Sequence, residues 1–239
     1  MKLCVINFSG NVGKTTIAAH LLKPRMNEAQ VFSVESLNSG IENDGVEDAE
    51  IIKGKRFGDL ANEILVADDA IVDVGSSNVE DFLILMNQYS GSHEDYDFYI
   101  IPTVGQKKQL TDTISTITTL SEMGIPLEKI RIVFNRVEPD EVDDLDAFSL
   151  LIGFHSTNPI FTLNEKAVVL VNDIYDGLKK VNKTLGDLVA DKTDFKAIIR
   201  DKKTNPKDKD HALNMLALQR LSVGANKNLD AAYLALFQD

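Results

Sequence analysis

Gly13, Lys14 and Thr15 stand in succession between an apolar run, Leu3 to Phe8, and a segment with helical apolar spacing, Ile17 to Leu22, that stops at Pro24. Those residue types in that order are what a phosphate group requires: a glycine that lets the backbone come close, an ammonium to meet the charge, and a hydroxyl able to ligate a divalent cation. The general pattern, G-x-x-x-x-G-K-[ST], asks for a glycine five positions before Gly13, and Phe8 occupies that place. The second half of the loop is intact and the first half is altered. Between a strand and a helix, the N–H groups of Ser9, Gly10, Asn11, Val12 and Gly13, with those of Lys14, Thr15 and Thr16 at the helix start, converge on phosphate oxygens and are helped by the helix dipole. Lys14 is then expected at the β- and γ-phosphates and the Thr15 hydroxyl on Mg²⁺. The alternative, an ordinary turn before an ordinary helix, is disfavoured by the loop's place directly after a β-prone segment.

The elements that must position this loop follow from the apolar pattern. Gln30 to Val34 reads as a strand ending at Glu35, and Ala70 to Val72 as one ending at Asp73, with a helical stretch from Phe57 to Val66 between them. Asp97 to Ile101 before Pro102, Ile130 to Phe134 before Asn135, and Pro159 to Leu163 read as further strands, alternating with helical segments at Lys107 to Met123 and Leu145 to His155. This alternation predicts an α/β fold with a doubly wound, mostly parallel sheet. In such sheets ligands sit beyond the carboxyl ends of the strands, so Ser9, Glu35, Asp73, Pro102 and Asn135 should face one another. Asp73 suits Mg²⁺ held through water, or a nucleophilic water to be polarised; its plainer alternative is a turn aspartate ahead of Gly75. Past residue 170 only helical spacing remains, at Ile174 to Val181, Leu185 to Val189, Phe195 to Ile199, Leu213 to Leu221 and Leu229 to Phe237, with Thr204-Asn205-Pro206 as a break. The expected division is a nucleotide-binding core over residues 1–170 and a helical C-terminal extension over 171–239 packed on it.

At 239 residues, 44% of them hydrophobic, the chain can bury one sizeable core with an appendage. No secretory signal precedes the first strand and no window approaches about 18 uninterrupted apolar residues, which gives the expectation of a cytoplasmic protein without a membrane-spanning segment. Cys4 is the only cysteine, so neither an intramolecular disulfide nor a cysteine metal cluster is available, and a reduced, buried thiol is expected. The net charge of −12 argues against a surface that binds polyanions nonspecifically. Acidic residues concentrate from Glu42 to Glu50 and from Glu138 to Asp146, whereas Lys192 to Lys209 is comparatively basic. Lys192, Lys196, Arg200 and Lys203 would form one stripe if Thr193 to Lys203 were a continuous helix, a solvated face being the plainer reading. His20, His93, His155 and His211 lack metal-ligand spacing.

Ser9-Gly10-Asn11-Val12-Gly13-Lys14-Thr15-Thr16 resembles the deviant Walker A loop of the ParA and MinD group, K-G-G-V-G-K-T-T. Together with Val5 to Phe8 before it, Ser33-Val34-Glu35-Ser36, Asp73 to Glu80, Gly91 to Asp95, Ile101-Pro102-Thr103-Val104 and Val133-Phe134-Asn135, in that order, it is similar to the StbB plasmid-stability proteins, a divergent branch of that group. The resemblance implies ATP or ADP as ligand with Mg²⁺, and a role in stable inheritance or conjugative transfer of a plasmid. It also implies a small plasmid-encoded DNA-binding protein as partner, through which plasmid DNA is reached indirectly, and a nucleotide-dependent homodimer. Carried onto this sequence, Lys14 takes the phosphate role, Thr15 the metal, Asp73 the Walker B role at the metal or the attacking water, Asn135 the adenine, and Arg136 a place beside the base, with Glu35 available to orient water or join the metal shell. Two departures bear on turnover. The group's lysine at the loop start, which reaches across a nucleotide-sandwiched dimer, is Ser9 here, and its Asp-x-Asp after the second strand is Glu35-Ser36-Leu37. Hydrolysis is therefore expected to be weak or dependent on a partner. A nucleotide-binding scaffold without turnover and a small-molecule, ligase-like ATP-dependent enzyme are the rival readings.

Overall fold

The computed structural model describes residues 1–35, 50–52 (as backbone) and 57–238. Ser36, Leu37 and nearly all of the acidic run from Glu42 lie outside the described residues. Seven parallel strands form one sheet in the order β3-β2-β4-β1-β5-β6-β7. They are β1 (Lys2–Val5), β2 (Gln30–Val34), β3 (Glu50–Ile52), β4 (Ala70–Val74), β5 (Phe98–Thr103), β6 (Ile130–Val137) and β7 (Val168–Leu170).

A parallel sheet is covered on both faces, so its inner strands are mostly apolar on both sides and their side chains sort by parity. Leu3 and Val5 of β1, Ile71 of β4, Ile100 of β5 and Val133 of β6 enter one core; Cys4, Val72, Tyr99, Ile101, Ile132 and Phe134 enter the other. Burial pushes the Cys4 thiol well above its ordinary value, and the nearby Asp73 carboxylate adds to that, which leaves the thiol inert.

The second core is covered by α2 (Phe57–Val66), α3 (Val79–Gln88), α4 (Lys107–Glu122) and α5 (Ser149–Thr157). The first is covered by α1 (Lys14–Thr16), which continues as a π-helical segment Ile17–Leu22, and by α6 (Ile174–Val181), α7 (Leu185–Ala190), α8 (Phe195–Arg200) and α9 (Pro206–Phe237). The doubly wound α/β fold with C-terminal helices is thus observed. No helix among the described residues is long and apolar enough to cross a membrane.

Three local readings are corrected and one strand is added. Pro159 to Leu163 is not a strand; it contributes a single bridge, Arg131 to Thr162, its Ile160 N–H is spent locally on the Asn158 carbonyl, and the place beside β6 goes to a later segment. The seventh strand is Val168–Leu170, and the side chain of Asn228 completes its outer edge: Nδ2 donates to the Val168 carbonyl at 2.9 Å and Oδ1 accepts the Leu170 N–H at 3.0 Å. Thr193 to Lys203 is not one helix. Asp194 caps the six-residue α8 by accepting the Ala197 N–H, so Lys192 and Lys203 fall outside it and the basic stripe does not form. Leu213 to Leu221 and Leu229 to Phe237 belong to one 32-residue helix. Its buried positions Ala212, Met215, Leu218, Ser222, Ala225, Leu229, Ala232 and Leu236 make one stripe of three- and four-residue steps, the spacing that keeps a single helix face on a core. Asn205 and Pro206 mark its start: Asn205 Oδ1 accepts the Asp208 N–H at 2.9 Å and Pro206 occupies the first turn.

Candidate functional site

The strand order reverses direction around β1, which lies between β4 and β5. The crevice at such a point, beyond the carboxyl ends of the strands, is where the loop from Asn7 to Gly13 sits. Gly13 is left-handed, with φ 87°, and opens α1. A Cβ there would collide with Asn135 Nδ2, so both its backbone angles and its close approach to β6 require glycine. Asn11 is also left-handed, at φ 61°, a conformation asparagine tolerates better than other side chains. It holds the place of a glycine in the K-G-G-V-G-K-T-T pattern.

Lys14, 8% exposed, donates from Nζ to the carbonyls of Asn7 at 3.0 Å and Ser9 at 2.8 Å, spanning the loop from within. Burial lowers its pKa from 10.5 to about 8, against the upward pull of the Asp73 and Glu35 carboxylates. Next along the helix, Thr15 Oγ1 donates to Asp73 Oδ2 at 2.8 Å. Asp73, 1% exposed, is aligned with Val5 of β1 on one side and Ser33 of β2 on the other. Glu35 follows β2 and lies against Gly75, whose N–H donates to the Val34 carbonyl at 2.9 Å; a Cβ on Gly75 would meet Glu35 Cγ at 3.3 Å. Gly10 faces Ser76 in the loop after β4. Lys14, Thr15, Asp73 and Glu35, from three separate stretches of the chain, are therefore brought to one place.

Asn135 and Arg136 reach the site from β6. Asn135 Nδ2 donates to the Val12 carbonyl at 2.8 Å and its Oδ1 accepts the Arg136 N–H at 2.9 Å. Asn135 thus fixes the loop. Pro102 supplies its carbonyl rather than its ring, accepting from Asn7 Nδ2 at 2.9 Å. Thr16 continues α1 behind Thr15.

The residues that hold the altered first half of the loop have no signature in sequence. Asn7 Nδ2 also donates to Thr113 Oγ1 at 2.8 Å, and Asn7 Oδ1 accepts the Ser9 N–H at 2.8 Å. Thr116 Oγ1 accepts the Phe8 N–H at 3.0 Å, while Thr103 and Thr113 share a hydrogen bond of 3.0 Å. Asn7, Thr103, Thr113 and Thr116 are all fully buried. They join the loop to β5 and α4 through a network in which each donor has a partner. Thr113 and Thr116 sit one helical turn apart, a spacing that reads in sequence only as a polar helix face. Thr116→Val is expected to strand the Phe8 N–H and to cost about 1–3 kcal/mol in denaturant unfolding, with Thr116→Ser close to wild type. A valine variant as stable as wild type would mean that the network does not hold the loop.

Comparison with known proteins bears on this geometry. Residues 3–162 match the CobQ/CobB/MinD/ParA nucleotide binding domain. Among solved structures, the MinC:MinD cell division protein complex of Aquifex aeolicus is similar at TM-score 0.56 and 12% identity, over 93% of this chain and 95% of that one. Apo McdA of Cyanothece is similar at TM-score 0.52 and 15% identity, over 89% and 98%. The pNOB8 ParA structure is similar at TM-score 0.51 and 13% identity, over 99% and 95%. At such identities the structural likeness speaks for the fold. No curated protein matches the chain. With the matched domain spanning the loop, both carboxylates and Asn135, the chain belongs to the CobQ/CobB/MinD/ParA nucleotide-binding domain family.

Proposed function

We propose that the protein binds ATP with Mg²⁺ and acts as a nucleotide-dependent switch in plasmid stability, positioning or conjugative transfer, working in the cytoplasm through a small plasmid-encoded DNA-binding protein. The observation that carries the nucleotide half is the meeting of Lys14 with Thr15 and Asp73 at the mouth of the loop, the two oxygens 2.8 Å apart. A hydroxyl and a carboxylate beside a phosphate loop are the hard oxygen donors that Mg²⁺ takes. Thr15 and Asp73 would hold the ion, which would neutralise phosphate charge. Lys14 would exchange its two carbonyl partners for phosphate oxygens, Glu35 would orient water, and Asn135 would stand at the adenine. The plasmid half rests on the ordered sequence blocks that resemble the StbB proteins, with the ParA likeness of the fold in keeping. Contacts from γ-phosphate to Glu35 and to the loop after Asp73 would give the switch its means of reporting nucleotide state, and a nucleotide-dependent homodimer is part of the same proposal.

One observation favours a second reading, a scaffold that binds nucleotide without turning it over. Ser9 carries no charge, and its N–H and C=O are both engaged inside the loop. That removes a cation from where charge develops in phosphoryl transfer, the largest catalytic contribution available to such a site. Calorimetry with ATP and Mg²⁺, followed by phosphate release from the chain alone and then with the proposed plasmid-encoded DNA-binding protein and DNA, separates the readings. Turnover raised by partner and DNA is the expected result. Binding without turnover under every condition selects the scaffold, and no binding at all refutes both.

A further inference from the structure

We propose that Arg136 contacts the terminal phosphate of the bound nucleotide, supplying from β6 the cation that Ser9 does not bring to the loop. The proposal rests on the nucleotide-binding reading above. In an unbroken strand Asn135 and Arg136 would point to opposite faces. Here the pairing with β7 slips between Asn135 and Val137, and Arg136 takes φ 56°, a conformation that long side chains rarely adopt. Backbone of this kind persists where its surroundings over-determine it and clusters at functional sites. The determinant is Asn135, whose Oδ1 accepts the Arg136 N–H while its Nδ2 grips the Val12 carbonyl. One side chain therefore sets both the loop and the direction of the arginine.

The outcome is an exposed guanidinium on the wall of a cavity of about 490 Å³ that Asn11, the tip of the loop, also lines. Gln106 and Gln109 from the start of α4 line it too, as does Glu141. No hydrogen bond or ion pair to a described residue engages the guanidinium, and Glu141 does not pair with it, so it is available to an anion. A phosphate fits this surrounding better than a base does. The arginine fork matches phosphate oxygens bidentately, the loop tip shares its cavity, and the first half of the loop has spent the Phe8 and Ser9 N–H groups on Thr116 and Asn7.

The experiment is calorimetry of wild type, Arg136→Asn, Arg136→Gly and Arg136→Lys with ADP and with the non-hydrolysable analogue AMPPNP, each with Mg²⁺. Asparagine and glycine both accept a positive φ, so thermal midpoints at or above wild type are expected and report that the fold is kept. The asparagine and glycine variants should lose about tenfold or more in AMPPNP affinity and no more than about twofold in ADP affinity, with lysine recovering part of the loss. Equal losses for the two nucleotides would place Arg136 at the base or sugar, and no loss for either would place it outside the site; each overturns the proposal. Failure of the wild type to bind either nucleotide would refute the nucleotide reading itself and this proposal with it.

Discussion

Replacing Lys14 with alanine is expected to weaken ATP binding by about 100-fold or more, since two charge-assisted hydrogen bonds to phosphate, each worth about 1.5–3 kcal/mol, would be lost. Removing the ammonium leaves the buried Asn7 and Ser9 carbonyls without their donor, at a cost of about 1–3 kcal/mol each, a loss of stability that the fold should survive. The measurement is calorimetric titration with circular dichroism as the control for folding. Binding unchanged in a folded Lys14→Ala protein would be incompatible with a phosphate role for the loop. The same side chain gives the site a pH dependence whose sign can be worked out. In the free protein Lys14 titrates at about 8, pushed down by burial and partly restored by Asp73 and Glu35. Phosphate raises that pKa again, so above pH 8 binding must take up a proton, and affinity should fall by up to about tenfold per pH unit as pH climbs. Stability of the free protein runs the other way. The folded pKa lies below the unfolded value, so the penalty is fully present below about pH 8 and fades as pH rises toward 10.5.

Gly13→Ala carries the second large effect. It forces an alanine into φ 87° and drives a methyl group into the Asn135 amide. Left-handed strain of about 1–2 kcal/mol and the steric conflict together should cost about 2–4 kcal/mol of stability and displace the loop from phosphate. The two causes separate in a double-mutant cycle. In an Asn135→Ala background the conflict disappears while the strain remains, so Gly13→Ala should cost about 1 kcal/mol less there than in the wild type. Strict additivity of the two substitutions in urea unfolding would mean that Asn135 does not pack over the loop.

Much of this site was legible in the sequence because its signals are local. Gly13-Lys14-Thr15 declares its chemistry in three residues, and Glu35 and Asp73 end apolar runs that could be recognised as strands from their composition alone. What escaped notice depends on distant partners or on the absence of a contact. Thr116 meets Asn7 across 109 positions, and nothing in a threonine-rich helix marks which hydroxyls face inward. Val168–Leu170 is too short to outweigh the apolar run at Pro159 to Leu163 until pairing with β6 is known. The apolar spacing lapses between Leu221 and Leu229, yet the buried stripe of α9 runs on through Ser222 and Ala225. The turn of the backbone at Arg136 follows from a slip in pairing, which no single strand can announce by itself.

Asn228 has a consequence beyond local hydrogen bonding. An outer strand normally leaves a row of backbone groups that another chain can copy, the first step in ordered aggregation. By meeting the Val168 carbonyl and the Leu170 N–H with one carboxamide, α9 imitates a neighbouring strand without offering an edge of its own. The C-terminal helix is in this sense a terminator: it ends the sheet chemically at β7, and a chain shortened before residue 228 would expose a template for self-association at the margin of the sheet.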